Sequence, residues 1–265
     1  MPHIKVNDVQ LYYELHGPED GEVLVLSNGI MMSTASWTFQ RTALEKHLRV
    51  LLYDCRGMWQ SEHPKGPYSM EQHAEDLSAL LEGLEIPSAH IGGISYGAEI
   101  SMVFALRHPE KTKSLIVIDG VSEIHPLLRG QTKPWLMAAE REDPELLLQT
   151  SYHMNFSEEW ITANQAFIKG SAARFAELDM PALAELMRAF FDLDITDELG
   201  TLQRPTLIIA GEKDLIKGPE YARVIHDQIS GSELAFIPDA GHAVCLEKPG
   251  ILNTLILGFI TKNAR

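Results

Sequence analysis

Eight short β-rich runs, helix-period stretches between most of them, and one long purely helical interval predict an α/β fold. Its expected form is a mostly parallel eight-stranded sheet flanked by helices, with an inserted helical cap. The β-rich runs are Ile4 to Val6, Leu11 to His16, Val23 to Ser27, Val50 to Tyr53, Ala89 to Ile94, Ser114 to Asp119, Pro205 to Ala210 and Glu233 to Ile237. The first two are close together and linked by Asn7-Asp8, which reads as an antiparallel hairpin. The remaining strands need crossover connections.

Ser69 and Gln72 form a capping box ahead of Leu77, Leu80, Leu81 and Leu84, which recur at helical spacing and predict a helix packed on the sheet. A second helix starts just after Ser95 and runs through Met102, Phe104 and Leu106. It ends at His108-Pro109, because the residue before a proline is pushed out of the helical region. The last, from Pro249 through Leu252, Leu255, Ile256 and Phe259, closes the chain. Between about Val121 and Gly200 the alternation stops. There Pro134 suits a helix start, Trp160 and Phe167 share a face, and Leu183, Leu186, Met187, Phe190 and Phe191 form an apolar stripe. Residues 1–120 with 201–265 are therefore expected to form the core domain and 121–200 the cap, whose aromatic and methionine residues pack mainly against the core.

With 265 residues the chain can bury a substantial hydrophobic core. Its 22 basic and 37 acidic residues give a formal charge of −15, which repels phosphate backbones and anionic lipid, so neither nucleic acid nor a membrane is expected as a partner. Cys55 and Cys245 lack metal-site or redox spacing and read as free thiols in a reducing compartment. No apolar run approaches the roughly 18 residues of a membrane span, and the start has no signal-peptide pattern, so a cytoplasmic protein is expected. A homo-oligomer is left open.

Chemistry concentrates at three places. Gly93-Ile94-Ser95-Tyr96-Gly97 follows a strand and opens a helix. A nucleophile on so sharp a turn adopts strained angles, and the positions two before and two after it must lack side chains. A serine hydroxyl also needs a base, and the base works best when an acid fixes its tautomer. Among the eleven histidines, His242 alone follows a strand and its loop, at the sheet edge where α/β folds place active groups. Asp214, in Gly211-Glu212-Lys213-Asp214 directly after the strand Pro205 to Ala210, is the favoured acid, and Asp119 the runner-up. Taken alone, Asp214 would be an ordinary turn aspartate. No G-x-x-x-x-G-K or His-Glu-x-x-His pattern is present, and no metal or cofactor is expected.

Together the elbow, the acid loop and Ala240-Gly241-His242 followed by Glu247-Lys248-Pro249 resemble the α/β-hydrolase family over nearly the whole chain outside the cap. Asp54-Cys55-Arg56-Gly57 is similar to the family's Asp-x-Arg-Gly turn, with Trp59 where a second glycine is common, an indole expected at the pocket mouth. The resemblance implies an oxyanion hole from the backbone N–H groups of Tyr96 and of Ile30, after Ser27-Asn28-Gly29. Ser-Asn-Gly with Trp37 and Gln40 is similar to 3-oxoadipate enol-lactonases and small bacterial carboxylesterases. Asn28, Met31, Trp37 and Trp59 are the expected substrate-pocket residues, beside Met32 and Met58.

The reading is a serine hydrolase for a small-molecule carboxylic ester or lactone, working through Ser95, His242 and Asp214 without a cofactor. A C–C bond hydrolase, a cofactor-free perhydrolase or haloperoxidase, or a thioesterase would share this triad and differ in the pocket. Dehalogenases and epoxide hydrolases place Asp at the elbow and are disfavoured. A non-catalytic ligand receptor is the alternative of a different class.

Overall fold

The computed structural model describes residues 2–263. Eight strands form one sheet: β1 His3–Val6, β2 Val9–His16, β3 Val23–Ser27, β4 Arg49–Tyr53, β5 Ala89–Ile94, β6 Thr112–Ile118, β7 Thr206–Gly211 and β8 Glu233–Ile237, in spatial order β1-β2-β4-β3-β5-β6-β7-β8. The pairs β1–β2 and β2–β4 are antiparallel and every other pair is parallel. Val6 pairs with Val9, so Asn7-Asp8 is a two-residue hairpin turn, with Asn7 at φ 49°. The expected eight-stranded, mostly parallel sheet and its hairpin are both present.

The pleat divides the core. Val25, Leu51, Ile91, Val117 and Ile208 point to one face, and Leu26, Val50, Leu52, Ile116 and Ile209 to the other. Helices α1 Thr38–Leu44, α2 Met70–Gly83 and α3 Tyr96–Arg107 follow β3, β4 and β5 in the chain. Leu77, Leu80, Leu81 and Phe104 pack with the first face, and Leu44 of α1 packs with the second. Between β6 and β7 run α4 Pro126–Glu140, α5 Pro144–Asn155, α6 Glu158–Ala163, α7 Gln165–Phe175 and α8 Met180–Phe191. The chain then adds α9 Pro219–Gln228 after β7, and α10 Val244–Glu247 and α11 Pro249–Asn263 after β8. Leu252, Ile256 and Phe259 of α11 complete the second face.

Three local expectations are corrected. Pro134 lies inside α4, where it withholds one backbone donor. The helix starts instead at Pro126, whose missing N–H costs nothing there. Trp160 and Phe167 sit on two helices, α6 and α7, broken at Asn164. Their rings meet edge to face at 5.2 Å across the break. Ser69 accepts from the Gln72 N–H at 3.1 Å, but Gln72 Oε1 has no partner among the described residues, so only half of the capping box forms.

Candidate active site

The elbow after β5 is shaped by what cannot fit there. Ser95 has φ 55° and ψ −121°, between the end of β5 and the first residue of α3. A Cβ on Gly93 would stand 2.2 Å from the carbonyl oxygen of Gly97, and one on Gly97 would stand 2.1 Å from that of Ser27. Glycine at both positions is thus a steric requirement of a turn this tight.

Neighbouring strands deliver the other groups to the same edge. Asp214 follows β7 and His242 follows β8, and His242 Nδ1 lies 2.7 Å from Asp214 Oδ2. The second oxygen of Asp214 accepts from the N–H groups of Ile216 at 2.7 Å and Lys217 at 3.0 Å, which fixes the carboxylate against the ring. Gly211 brings the two loops together, since a Cβ there would meet the Gly241 carbonyl at 2.2 Å. Glu247 braces the histidine loop. It accepts from the N–H groups of Gly241 and Ser157 and from the Ser157 hydroxyl at 2.6 Å, tying the loop to the segment before α6.

Asp119, the runner-up acid, also belongs to this cluster. Its carboxyl, that of Asp214 and the His242 ring each offer an atom within 4.8 Å of one another. One oxygen of Asp119 accepts from the Gly211 N–H at 2.8 Å, and the other is buried with no partner among the described residues. Burial, reinforced by the Asp214 charge, holds the Asp119 carboxyl well above the usual carboxylate range. This trio has the donor atoms of a metal site, but Asp214 is already committed to His242 and two amides, which is the arrangement of a proton relay.

Ser95 and His242 line one cavity of about 160 Å³, with Gly29, Ile30, Met31 and Ile94 from the sheet edge. Trp135, Leu148, Phe156, Phe167 and Phe175 of the β6–β7 segment form its opposite wall. No hydrogen bond joins the Ser95 hydroxyl to the imidazole among the described residues; in ligand-free sites such contacts are commonly loose. The N–H groups of Ile30 and Tyr96 likewise have no acceptor among the described residues. A smaller recess of about 10 Å³ borders Ser95, Ile30 and Tyr96 and is closed by Thr132, Trp135, Met187, Phe190, Ile216 and Lys217. Burial pushes the Cys245 thiol on the cavity wall up to about 12, leaving it protonated and a poor rival nucleophile.

Of the expected pocket residues, Met31 lines the cavity, at φ 65°. Trp37 and Asn28 do not. The Trp37 indole is fully buried and donates to Asn28 Oδ1 at 2.8 Å, while Asn28 Nδ2 donates to Asp54 Oδ1 at 2.9 Å. They brace the Gly29-Ile30 loop from below instead of meeting a ligand. Burial pushes Asp54 up to about 6, against the donors that surround it. Trp59 adopts φ 43°, the left-handed backbone that favours glycine, and its indole donates to the Met31 carbonyl at 3.1 Å. It lines a side pocket of about 50 Å³ with Met31 and Met58, beneath the Arg174 guanidinium at 4.1 Å. Glu99 and Lys217 carry no motif to single them out, because a buried charge becomes visible only when its partner is known; the exposed Arg174 likewise shows its role only through the Trp59 ring it covers.

Fold and site geometry define an α/β hydrolase, an enzyme class. The sequence profile described as alpha/beta hydrolase fold matches residues 22–249, and the chain belongs to this family. It is 26% identical over 262 residues to a protein of Azorhizobium caulinodans named "Putative carbamate hydrolase RutD", covering 98% of each chain. It is 26% identical over 250 residues to 3-oxoadipate enol-lactonase 2 of Acinetobacter baylyi, covering 94% of this chain and 92% of that one. The crystal structure of the enol-lactonase from Burkholderia xenovorans superposes with a TM-score of 0.92 at 27% identity, over 98% of this chain and all of that one. Among the described residues no helix is long and apolar enough to cross a membrane.

Proposed function

We propose that the protein is a serine hydrolase that cleaves a small carboxylic ester or lactone through an acyl-enzyme. The observation that carries this reading is the buried His242–Asp214 hydrogen bond of 2.7 Å at the cavity whose wall also holds Ser95 on its strained turn. Ser95 Oγ attacks the carbonyl carbon while His242 Nε2 takes its proton, and Asp214 stabilises the imidazolium. The amides of Ile30 and Tyr96 hold the oxyanion. The carbonyl–oxygen bond to the leaving group breaks, and His242 returns the proton to the departing alkoxide. Water, deprotonated by His242, then attacks the acyl carbon. The Ser95–acyl bond breaks, and the serine regains its proton. The β6–β7 segment, 121–200, serves as the cap that shapes the apolar wall and excludes bulk water.

The enol-lactonase relatives favour an ester or lactone, and the RutD relative adds carbamates to the candidates. The test is labelling by a fluorophosphonate probe, with hydrolysis measured on a panel of short esters, lactones, carbamates and vinylogous diketones. Expected are labelling lost in Ser95→Ala and preferential turnover of esters or lactones. Diketone cleavage alone would make the protein a C–C bond hydrolase, and absent labelling would make it a binding protein.

A further inference from the structure

Lys217 and Glu99 form an ion pair that the triad does not use. Nζ lies 2.7 Å from Oε2, and both side chains are removed from solvent, at 3% and 0% exposed. Glu99 sits one helical turn after Ser95 on α3, and its other oxygen accepts from the Val121 N–H at 2.9 Å. Lys217 lies three residues after Asp214 and donates its own N–H to that carboxylate. Desolvating two charges is costly, and apolar side chains of similar size commonly stabilise a core as well or better, so stability does not account for the pair.

Its position does. Lys217 helps close the recess that borders Ser95, Ile30 and Tyr96, which has room for about one oxygen-sized group. An ammonium has three N–H donors. The structure gives Lys217 one side-chain acceptor, Glu99 Oε2, and one ring face, Phe190 at 4.6 Å, so a third donor has no acceptor among the described residues. His242 lines the larger cavity and not the recess. The leaving group, which takes its proton from His242, therefore belongs in the larger cavity, and the recess takes the terminal oxygen of an acyl group whose chain starts at Ser95. Glu99 compensates the ammonium charge and would repel a carboxylate, whereas a neutral oxygen meets a charge-assisted donor without that penalty.

We infer that Lys217 marks a specificity subsite for a short acyl group carrying a neutral hydroxyl or oxo oxygen, an inference that rests on Ser95 being the acylated residue. Phenyl glycolate against phenyl propionate, and phenyl 3-hydroxypropionate against phenyl butyrate, differ by one hydroxyl in place of a methyl group. With each kcat/KM divided by the ester's hydroxide-catalysed rate, at least one hydroxylated ester should exceed its partner by about tenfold or more in the wild type, the scale of a charge-assisted hydrogen bond. In Lys217→Met/Glu99→Gln the preference should fall towards one, whatever happens to the absolute rates. Should that variant not give a cooperative melt, Lys217→Arg, which displaces the donors, must lower the preference in its place. Corrected ratios near one in the wild type, or a preference untouched in the variant, would overturn the subsite while fluorophosphonate labelling of Ser95 stays intact. Absent labelling would remove the catalytic reading and the subsite together.

Discussion

Asp119 and Asp214 present their carboxyl oxygens within 4.8 Å of one another and of the His242 ring, yet their surroundings differ. Asp214 receives two amide donors and the imidazole, while Asp119 receives one amide and buries its other oxygen with no partner among the described residues. Asp214→Asn should lower kcat/KM by about 10⁴, because the amide favours the wrong histidine tautomer. Asp119→Asn should lower it by less than about tenfold, since an amide imitates the protonated acid that burial favours. The stability signature has a definite sign. A carboxyl raised in the folded state contributes stability present below the ordinary carboxylate range and lost as pH rises through its raised value. The urea midpoint at pH 5 minus that at pH 8 should therefore be larger in the wild type than in Asp119→Asn. Equal differences would mean that Asp119 is ionised in the fold.

Asn28 transmits order from the core to the Gly29-Ile30 loop through Trp37 and Asp54. Asn28→Ala would strand the indole N–H and remove a donor from Asp54, costing about 1 to 3 kcal/mol in a denaturant melt. Loosening the Ile30 amide should cost about 10- to 100-fold in kcat, part of what a deleted oxyanion donor costs, with KM changed less. An unchanged kcat would show that the loop holds its shape without the side chain.

How much of the fold and site is legible in the sequence follows from the range of the interactions concerned. The strand pattern, the elbow glycines and the loop positions of Asp214 and His242 depend on local periodicity and on turn sterics, and these carry directly into the structure. Sequence spacing misplaces Pro134 and the Trp160–Phe167 pair, because a proline fits a helix start and a seven-residue spacing fits one helix face, whereas the chain breaks at Asn164. Asn28 and Trp37 resemble pocket residues because they flank the Gly29-Ile30 loop, and nothing local shows that they bond to each other beneath it. The Lys217–Glu99 pair joins positions 118 residues apart and has no local trace at all.

Two glycines separate steric need from helix propensity. Gly97→Ala would put a methyl group 2.1 Å from the Ser27 carbonyl oxygen, and since both atoms belong to packed backbone, the elbow must shift. The variant should lose fluorophosphonate reactivity and melt earlier. Gly130, inside α4, has open space where a Cβ would stand, with no neighbour within 4 Å, so Gly130→Ala should raise stability by about 0.5 to 1 kcal/mol with activity retained. Full reactivity in Gly97→Ala would show that the turn has slack.

Acid sensitivity should come from histidines remote from the reaction. His73 is buried with Nε2 2.8 Å from the Tyr96 hydroxyl, and burial depresses it to about 3; His90, bonded to Ser114 at 2.8 Å, is depressed to about 4. Below pH about 6.5 the unfolded chain binds these protons and the folded chain does not, so stability falls with pH, by up to about 1.4 kcal/mol per unit for each group. Asp54, pushed up to about 6, acts with the opposite sign: folding favours its acid form, and its contribution is lost as pH rises through that value. Asp119 acts in the same direction as Asp54, so the histidine contribution is read from a variant and not from the net slope. His73→Gln removes one proton-binding group while keeping a partner for the Tyr96 hydroxyl, and the unfolding free energy at pH 4 relative to pH 6 should be higher in it than in the wild type. Identical slopes in wild type and variant would mean that the folded protein already accommodates a charged imidazole beneath Tyr96.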